Sequence, residues 1–207
     1  AGSHVICEKP FVVRKKNINK IIKLSQKKKK LIFENFMYIY HPAFDYIKKT
    51  VNEKKFGKLR YVISNFRYPS LKKNNNRYNK KEGDGFFYDS ASYLISLETY
   101  LFNYDNKKKF KLHVQKIKKE VDLRGNIFIN SSGVNRFYFW GEGQNYTNNL
   151  EIFFNNATIY IDKFFSKKHK EEIIVKIHGK KIQEKIIKAS NHFEKMFSII
   201  QKKYYKK

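Results

Sequence analysis

Apolar and polar positions follow two styles of patterning along the 207 residues, and the style changes near Asp105. Before that point short apolar runs alternate with helical stretches. His4 to Cys7, "HVIC", is rich in strand formers and predicts a short strand that stops at Glu8-Lys9-Pro10. From Asn17 to Lys28, Ile18, Ile21, Ile22 and Ser25 share one face of a 3.6-residue period with lysines elsewhere, which predicts an amphipathic helix. The run Lys27 to Lys30 closes it, because cations suit a helix C-terminus. Leu31 to Tyr40 then returns to apolar and aromatic residues at strand-like density. Strand, helix, strand in that order predicts a crossover unit of a parallel sheet. His41-Pro42 marks a boundary, and Phe44, Ile47 and Val51 predict a helix over Ala43 to Lys55 that stops at Gly57. Lys58 to Tyr68 alternates as a strand up to Pro69. The polar stretch "SLKKNNNRYNKKEGDG" reads as a loop, and Ala91, Leu94, Ile95 and Leu101 predict a helix over Phe87 to Phe102.

Beyond Asp105 come strand-like runs separated by turn signals: "FKLHVQKIKKEV", "GNIFINSS", "NRFYFWGEG", "LEIFFNNATIYID", "EEIIVKIHG" and "KIQEKIIKA". They predict an antiparallel or mixed sheet with one covered face. Ser190 to Tyr205 predicts a closing helix, with Ser190 as its cap and Phe193, Phe197 and Ile200 on one face. The fold class expected is α/β followed by α+β.

Composition adds that a core is affordable in aromatic side chains, with 19 Phe and 15 Tyr among 41% hydrophobic residues. The formal charge of +27 first suggests an anionic polymer or membrane surface as partner. The excess is mostly lysine spread along the chain, and Lys, Asn, Ile, Phe and Tyr share A- and T-rich codons, so the charge is discounted as a functional signal. One cysteine, Cys7, excludes an intrachain disulfide, fits a reducing, cytoplasmic setting, and is expected to be a buried strand residue. No run of about 18 apolar residues is present, so no transmembrane helix is expected. "AGSHVICEKP" has neither a basic n-region nor a long apolar h-region, so no signal peptide is expected.

Two places carry candidate chemistry. Lys9 is held at a strand end before a proline, either as half of a surface ion pair with Glu8 or as a functional amine. In "GDGFFYDSASYLI", Asp89 and Tyr93 are four apart and share a helix face. They are either a helix N-terminal acid beside a packed aromatic, or a proton-transfer pair in which a nearby lysine favours the phenolate. Arg77 in "NNNRY" is either solvated or a clamp for phosphate or carboxylate. His41 is either a polar contact at a domain junction or a boundary residue. "GEGQN" at 141–145 lacks the third glycine and reads as a turn, and no zinc spacing or nucleophile elbow is present.

Taken in order, "AGSHVICEKPF", "FMYIYHPAF", "KKFGKLRYVISNFRYP", "NNNRYNKKEGDGFFYDSASYLI", "VDLRGNIFINSSG" and "SNHFEKMFSII" resemble the glucose-fructose oxidoreductase / inositol dehydrogenase (Gfo/Idh/MocA) family, nearly end to end. The resemblance implies an NAD(P)-dependent oxidoreductase passing a hydride between a nicotinamide and a sugar carbon. It implies that residues 1–41 are the final βαβ of a Rossmann-like domain. Residues 42–207 would be a substrate-binding and oligomerisation domain built on a large, mostly antiparallel open sheet. Lys9 and Tyr93 would be the catalytic pair, with Tyr93 the general acid/base and Lys9 adjusting its pKa. Asp89, Arg77, Tyr38 and His41 would face substrate, and Glu8, Lys9 and Pro10 the cofactor. "RY" ahead of a glycine-rich turn resembles members acting on nucleotide-linked keto-sugars. No metal, no specific nucleic acid and no membrane are implied, and a homo-oligomer through the sheet is.

Two departures accompany it. Ile39 stands where many relatives carry arginine, and the glycine-rich strand-turn-helix that cradles a pyrophosphate would lie before Ala1. The sequence is therefore expected to be a C-terminal portion that binds NAD(P) poorly by itself, with an N-terminal half as possible partner. The alternatives are a catalytically silent binding or scaffold domain of the same fold and, behind it, a basic nucleic-acid-binding protein.

Overall fold

The computed structural model describes residues 2–11, 15–102, 109–118, 120–143 and 145–205. Strand β1 (Val5–Cys7) pairs in parallel with β2 (Ile32–Glu34), and helix α1 (Lys15–Lys27) connects them. The helix half-buries Ile18, Ile21 and Ser25, while Ile22 stays exposed. Cys7 is a free thiol and half-buried, not buried, because β1 has a partner on one side only.

The expected strand over Leu31 to Tyr40 is divided. Its ladder ends at Glu34 because β1 runs out at Cys7, and the chain winds into a 3-10 turn at Met37–Tyr40. The aromatic density that suggested a strand serves the core instead: Phe36 and Tyr38 are buried, with Tyr38 edge-on to Phe44 and Phe165. Helix α2 (Pro42–Asn52) begins where His41 Nδ1 accepts from the Ala43 N–H at 3.1 Å and Pro42 occupies the first turn.

Strand β3 (Leu59–Tyr68) is followed by a loop holding a 3-10 turn at Asn76–Tyr78. The helix expected over Phe87 to Phe102 starts as one wide π turn, Phe87–Ala91, and continues as α3 (Ser92–Phe102). Among the described residues seven strands follow: β4 (Lys109–Lys118), β5 (Val121–Ser131), β6 (Val134–Glu142), β7 (Thr147–Phe154), β8 (Thr158–Asp162), β9 (Ile173–His178) and β10 (Ile182–Ile187). The single apolar run "LEIFFNNATIYID" is thus a hairpin, turning at Asn155-Asn156 between β7 and β8. Helix α4 (His192–Tyr205) ends the fold, capped by Asn191 rather than Ser190: Asn191 Oδ1 accepts from the N–H groups of Phe193 and Glu194.

The large sheet has the order β10-β9-β8-β7-β3-β6-β5-β4, and every neighbouring pair is antiparallel except β3 with β6. One face is covered. Val62, Tyr138, Trp140, Leu150, Ile161 and Val175 from the strands share a core with Phe44 and Ile47 of α2 and Leu94, Leu97 and Leu101 of α3. The alternation of β5, buried at every odd position from Val121 to Ser131, is this arrangement written in sequence. The fold is α/β followed by α+β.

Candidate active site

Lys9 and Asp89, 80 positions apart, meet where the end of β1 passes the π turn. Lys9 Nζ donates to Asp89 Oδ1 at 2.6 Å and to the Asp89 backbone carbonyl at 2.9 Å. Both side chains are mostly shielded, 13% and 19% exposed, so the pair is no surface ion pair of the kind that contributes little. Asp89 Oδ2 accepts two further hydrogen bonds, from Arg77 Nε at 2.7 Å and from the Tyr68 hydroxyl at 2.6 Å. Burial alone would raise the Asp89 carboxyl. The guanidinium of Arg77, the ammonium of Lys9 and the Tyr68 hydroxyl outweigh it and hold the group down to about 2.

Tyr93 lies one helical turn beyond Asp89. Its ring is 7% exposed, packed against Phe36, Phe66 and Phe165, with Lys9 Nζ 4.8 Å from the ring centre. Its hydroxyl donates to Met37 Sδ at 3.9 Å. Burial, helped by the negative charge of Asp89, pushes the phenol up to about 12. Sequence reasoning expected the lysine to favour the phenolate. In the fold the ammonium is bonded to Asp89 and lies over the ring face, and burial prevails. At neutral pH the Tyr93 phenol is therefore protonated.

The loop between β3 and the π turn fixes Arg77. Asn75 Oδ1 accepts from the Arg77 backbone N–H at 3.1 Å and from Nη1 at 3.4 Å. Gly83 packs so closely that a Cβ there would lie 2.7 Å from Arg77 Cα and from Asn76 O. Gly85 has a φ of +92° and abuts Asp122, whose carboxylate also accepts the Trp140 indole N–H at 3.0 Å. Lys9, Pro10, Arg77, Lys80, Lys81 and Asp89 line a cleft of about 790 Å³ with residues 82–84 and Tyr88.

Of the other expected site residues, Pro10 borders the cleft and the rest lie elsewhere. Glu8 Oε1 accepts from Asn35 Nδ2 at 2.6 Å and so ties β1 to the end of β2. Pro10 follows a cis peptide bond and borders the cleft. Tyr38 is 1% exposed, its hydroxyl 2.9 Å from Ser96 Oγ, and belongs to the core rather than the cleft. His41 is equally buried as the cap of α2. Ile39 packs partly buried against the core. Sequence reasoning missed Tyr68. The alternation of β3 held a signal for it, since Val62, Ser64, Phe66 and Tyr68 share the covered face. Among the described residues no cluster of His, Cys, Asp or Glu could hold a metal ion, and no helix is long and apolar enough to cross a membrane.

Comparison with known proteins adds context. The family described as GFO/IDH/MocA C-terminal domain matches residues 44–160. A dTDP-3,4-didehydro-2,6-dideoxy-alpha-D-glucose 3-reductase of Actinomadura kijaniata is 23% identical over 197 residues, covering 94% of this chain and 59% of that protein. The structure of KijD10, a 3-ketoreductase from Actinomadura kijaniata in complex with NADP and TDP-benzene, superposes with a TM-score of 0.89 at 21% identity. It covers 95% of this chain and 61% of that one. An aldose-aldose oxidoreductase from Caulobacter crescentus, complexed with glycerol, gives a TM-score of 0.78 at 17% identity, over 89% and 56% of the two chains. At these identities the structural likeness speaks for the fold. The chain spans about three-fifths of the length of the 3-reductase and of KijD10.

Proposed function

The chain belongs to the GFO/IDH/MocA family, and from that membership we propose that the complete protein is an NAD(P)-dependent reductase of a nucleotide-linked keto-sugar. The observation that carries this reading is the meeting of Lys9, Asp89 and Arg77 at one cleft, with Tyr93 a turn away and the phenol protonated. In this reading residues 1–41 are the last crossover of a nucleotide-binding domain and residues 42–207 the substrate domain.

The cleft suits the nicotinamide end of a dinucleotide: Lys9, Pro10 and Tyr88 border an opening of about 790 Å³. A G-x-G-x-x-G cradle for its pyrophosphate is not among the 207 residues. When bound, the dinucleotide supplies the hydride. This chain's residues do the rest. Asp89, anionic at any pH well above 2, orients Lys9 through two of the three ammonium N–H bonds and leaves one for a substrate oxygen. Arg77, bonded to Asp89 through Nε and to Asn75 through Nη1, lines the cleft as a cation for an anionic group such as a diphosphate. Tyr93 donates the proton that a reduced carbonyl oxygen requires. Its thioether partner is a weak acceptor, readily exchanged for an oxygen. The relatives' names support a dTDP-linked sugar as substrate and NADP as cofactor.

The uncovered face of the sheet, with half-buried Ile63, Phe128, Phe137, Phe139 and Tyr160, supports self-association through that face. The free Cys7 thiol supports a reducing, cytoplasmic setting. The test is oxidation of NADPH, followed at 340 nm, by the complete protein given a dTDP-linked 3-keto-sugar. Turnover that Tyr93→Phe abolishes supports the reading. No turnover by the complete protein would turn it toward a silent scaffold, and turnover unchanged in both Tyr93→Phe and Lys9→Ala would take the chemistry away from these two residues.

A further inference from the structure

We propose that Tyr68 is a positioning residue of this site: its hydroxyl locks the Asp89 carboxylate, so that Lys9 and Arg77 are held for substrate by an anion that does not itself touch substrate. The proposal rests on the reductase reading for what is being positioned, and on geometry alone for the lock.

The Asp89 oxygens are both engaged, Oδ1 by Lys9 and Oδ2 by Arg77 and Tyr68, at 2.6 to 2.7 Å. Hydrogen bonds this short to an ionised acceptor are the strong kind. An arginine can take both carboxylate oxygens through parallel N–H bonds, and here it does not. Its bond to Asp89 runs through Nε, Nη1 turns to Asn75, and the Tyr68 hydroxyl shares Oδ2. The tyrosine thus stands beside both the carboxylate and the guanidinium, and Arg77 lines the cleft. This gives Asp89 a role different from the substrate contact expected from sequence.

Tyr68 is suited to a fixed job. It is the last residue of β3, next to Pro69, and its ring packs near Phe66 and Phe86, with centres 6.3 Å and 5.7 Å away. The strand sets its backbone and the rings set its side chain. Burial, with Asp89 beside it, raises the phenol well above its ordinary value, so the hydroxyl remains a donor throughout the working pH range.

Tyr68→Phe removes only the hydroxyl and keeps the ring packing that holds the fold. Two readouts decide the matter. In this chain, the Asp89 carboxylate is titrated by ¹³C NMR. Its midpoint is expected to rise from about 2 to about 3 when one charge-assisted donor is lost. In the complete protein, kcat for NADPH oxidation with a dTDP-linked 3-keto-sugar is expected to fall roughly tenfold while KM for the sugar changes little. A midpoint that stays at the wild-type value overturns the proposal, and so does an unchanged kcat beside a shifted midpoint. A wild-type protein without turnover overturns the reductase reading instead, and the titration then decides alone whether Tyr68 is the lock.

Discussion

Replacing Asp89 by Asn keeps the shape of the side chain and removes the charge on which Lys9, Arg77 and Tyr68 converge. The carboxyl is held at about 2 against an ordinary 3.8, a difference that corresponds to about 2 kcal/mol of folding stability at neutral pH. Asp89 is only 19% exposed, so solvent screening takes little from that figure. The sign follows from the depressed value. Stabilisation is complete above the unfolded pKa, near 4, and is lost as pH falls through about 2. At pH 3 about 1 kcal/mol should remain. Urea unfolding of the wild type and of Asp89→Asn at stepped pH measures it. Other carboxylates titrate in both proteins and cancel in the difference. The expected result is a stability gap that shrinks by about 1 kcal/mol between pH 7 and pH 3. A gap of the same size at both pH values would refute the claim that these donors bind the ionised form.

Tyr93→Phe should leave the fold intact, since the ring packs without its hydroxyl, and should lower kcat of the complete protein by about 10²-fold or more with KM little changed. The same phenol, pushed up to about 12 by burial, makes the folded chain lose stability as pH rises from 10 toward 12, and Tyr93→Phe should lose less when unfolding is followed across that range. Gly83→Ala places a Cβ 2.7 Å from the backbone of Arg77 and Asn76, so the loop must move. Calorimetric titration of the complete protein with dTDP should show roughly tenfold weaker binding. Arg136→Met breaks an ion pair with Glu98, 3.2 Å apart and 5% and 8% exposed beneath α3. Urea unfolding should report a loss of about 3 kcal/mol or more, from the buried charge left behind on Glu98.

The sheet was legible because alternation survives wherever one face is buried and the other open, as in β5 and β9. Helices α1 and α2 were legible from their spacing and, for α2, from the His41-Pro42 start. Aromatic density misled at Met37–Tyr40, where Tyr38 is buried by a 3-10 turn: density reports burial, and only a partner strand makes a strand. The hairpin in "LEIFFNNATIYID" was hidden because Asn155-Asn156 is a short turn signal between two strongly apolar arms. For the site, Lys9, Asp89 and Arg77 were named from the sequence, but their distances depend on a meeting over 80 positions that no local pattern encodes. The π turn was invisible for a related reason, since Phe87 to Ala91 satisfies an α-helical period equally well. Tyr38 and His41 show the converse: the family resemblance placed both facing substrate, and burial assigns one to the core and the other to a cap.

Strand β3 sits between β7 and β6, and so joins two ribbons that are each contiguous in sequence, β4-β5-β6 and β7-β8-β9-β10. Each ribbon zips from neighbour to neighbour, and among the described strands the two ribbons are bridged in the sheet by this one earlier strand. Tyr68 is its final residue, and the Arg77 loop springs from it. The seam that welds the halves of the sheet is therefore also the arm that carries the chemistry, and a mutation that loosens the weld, even at Leu150 or Phe137 far from the cleft, should announce itself in the grip on Asp89.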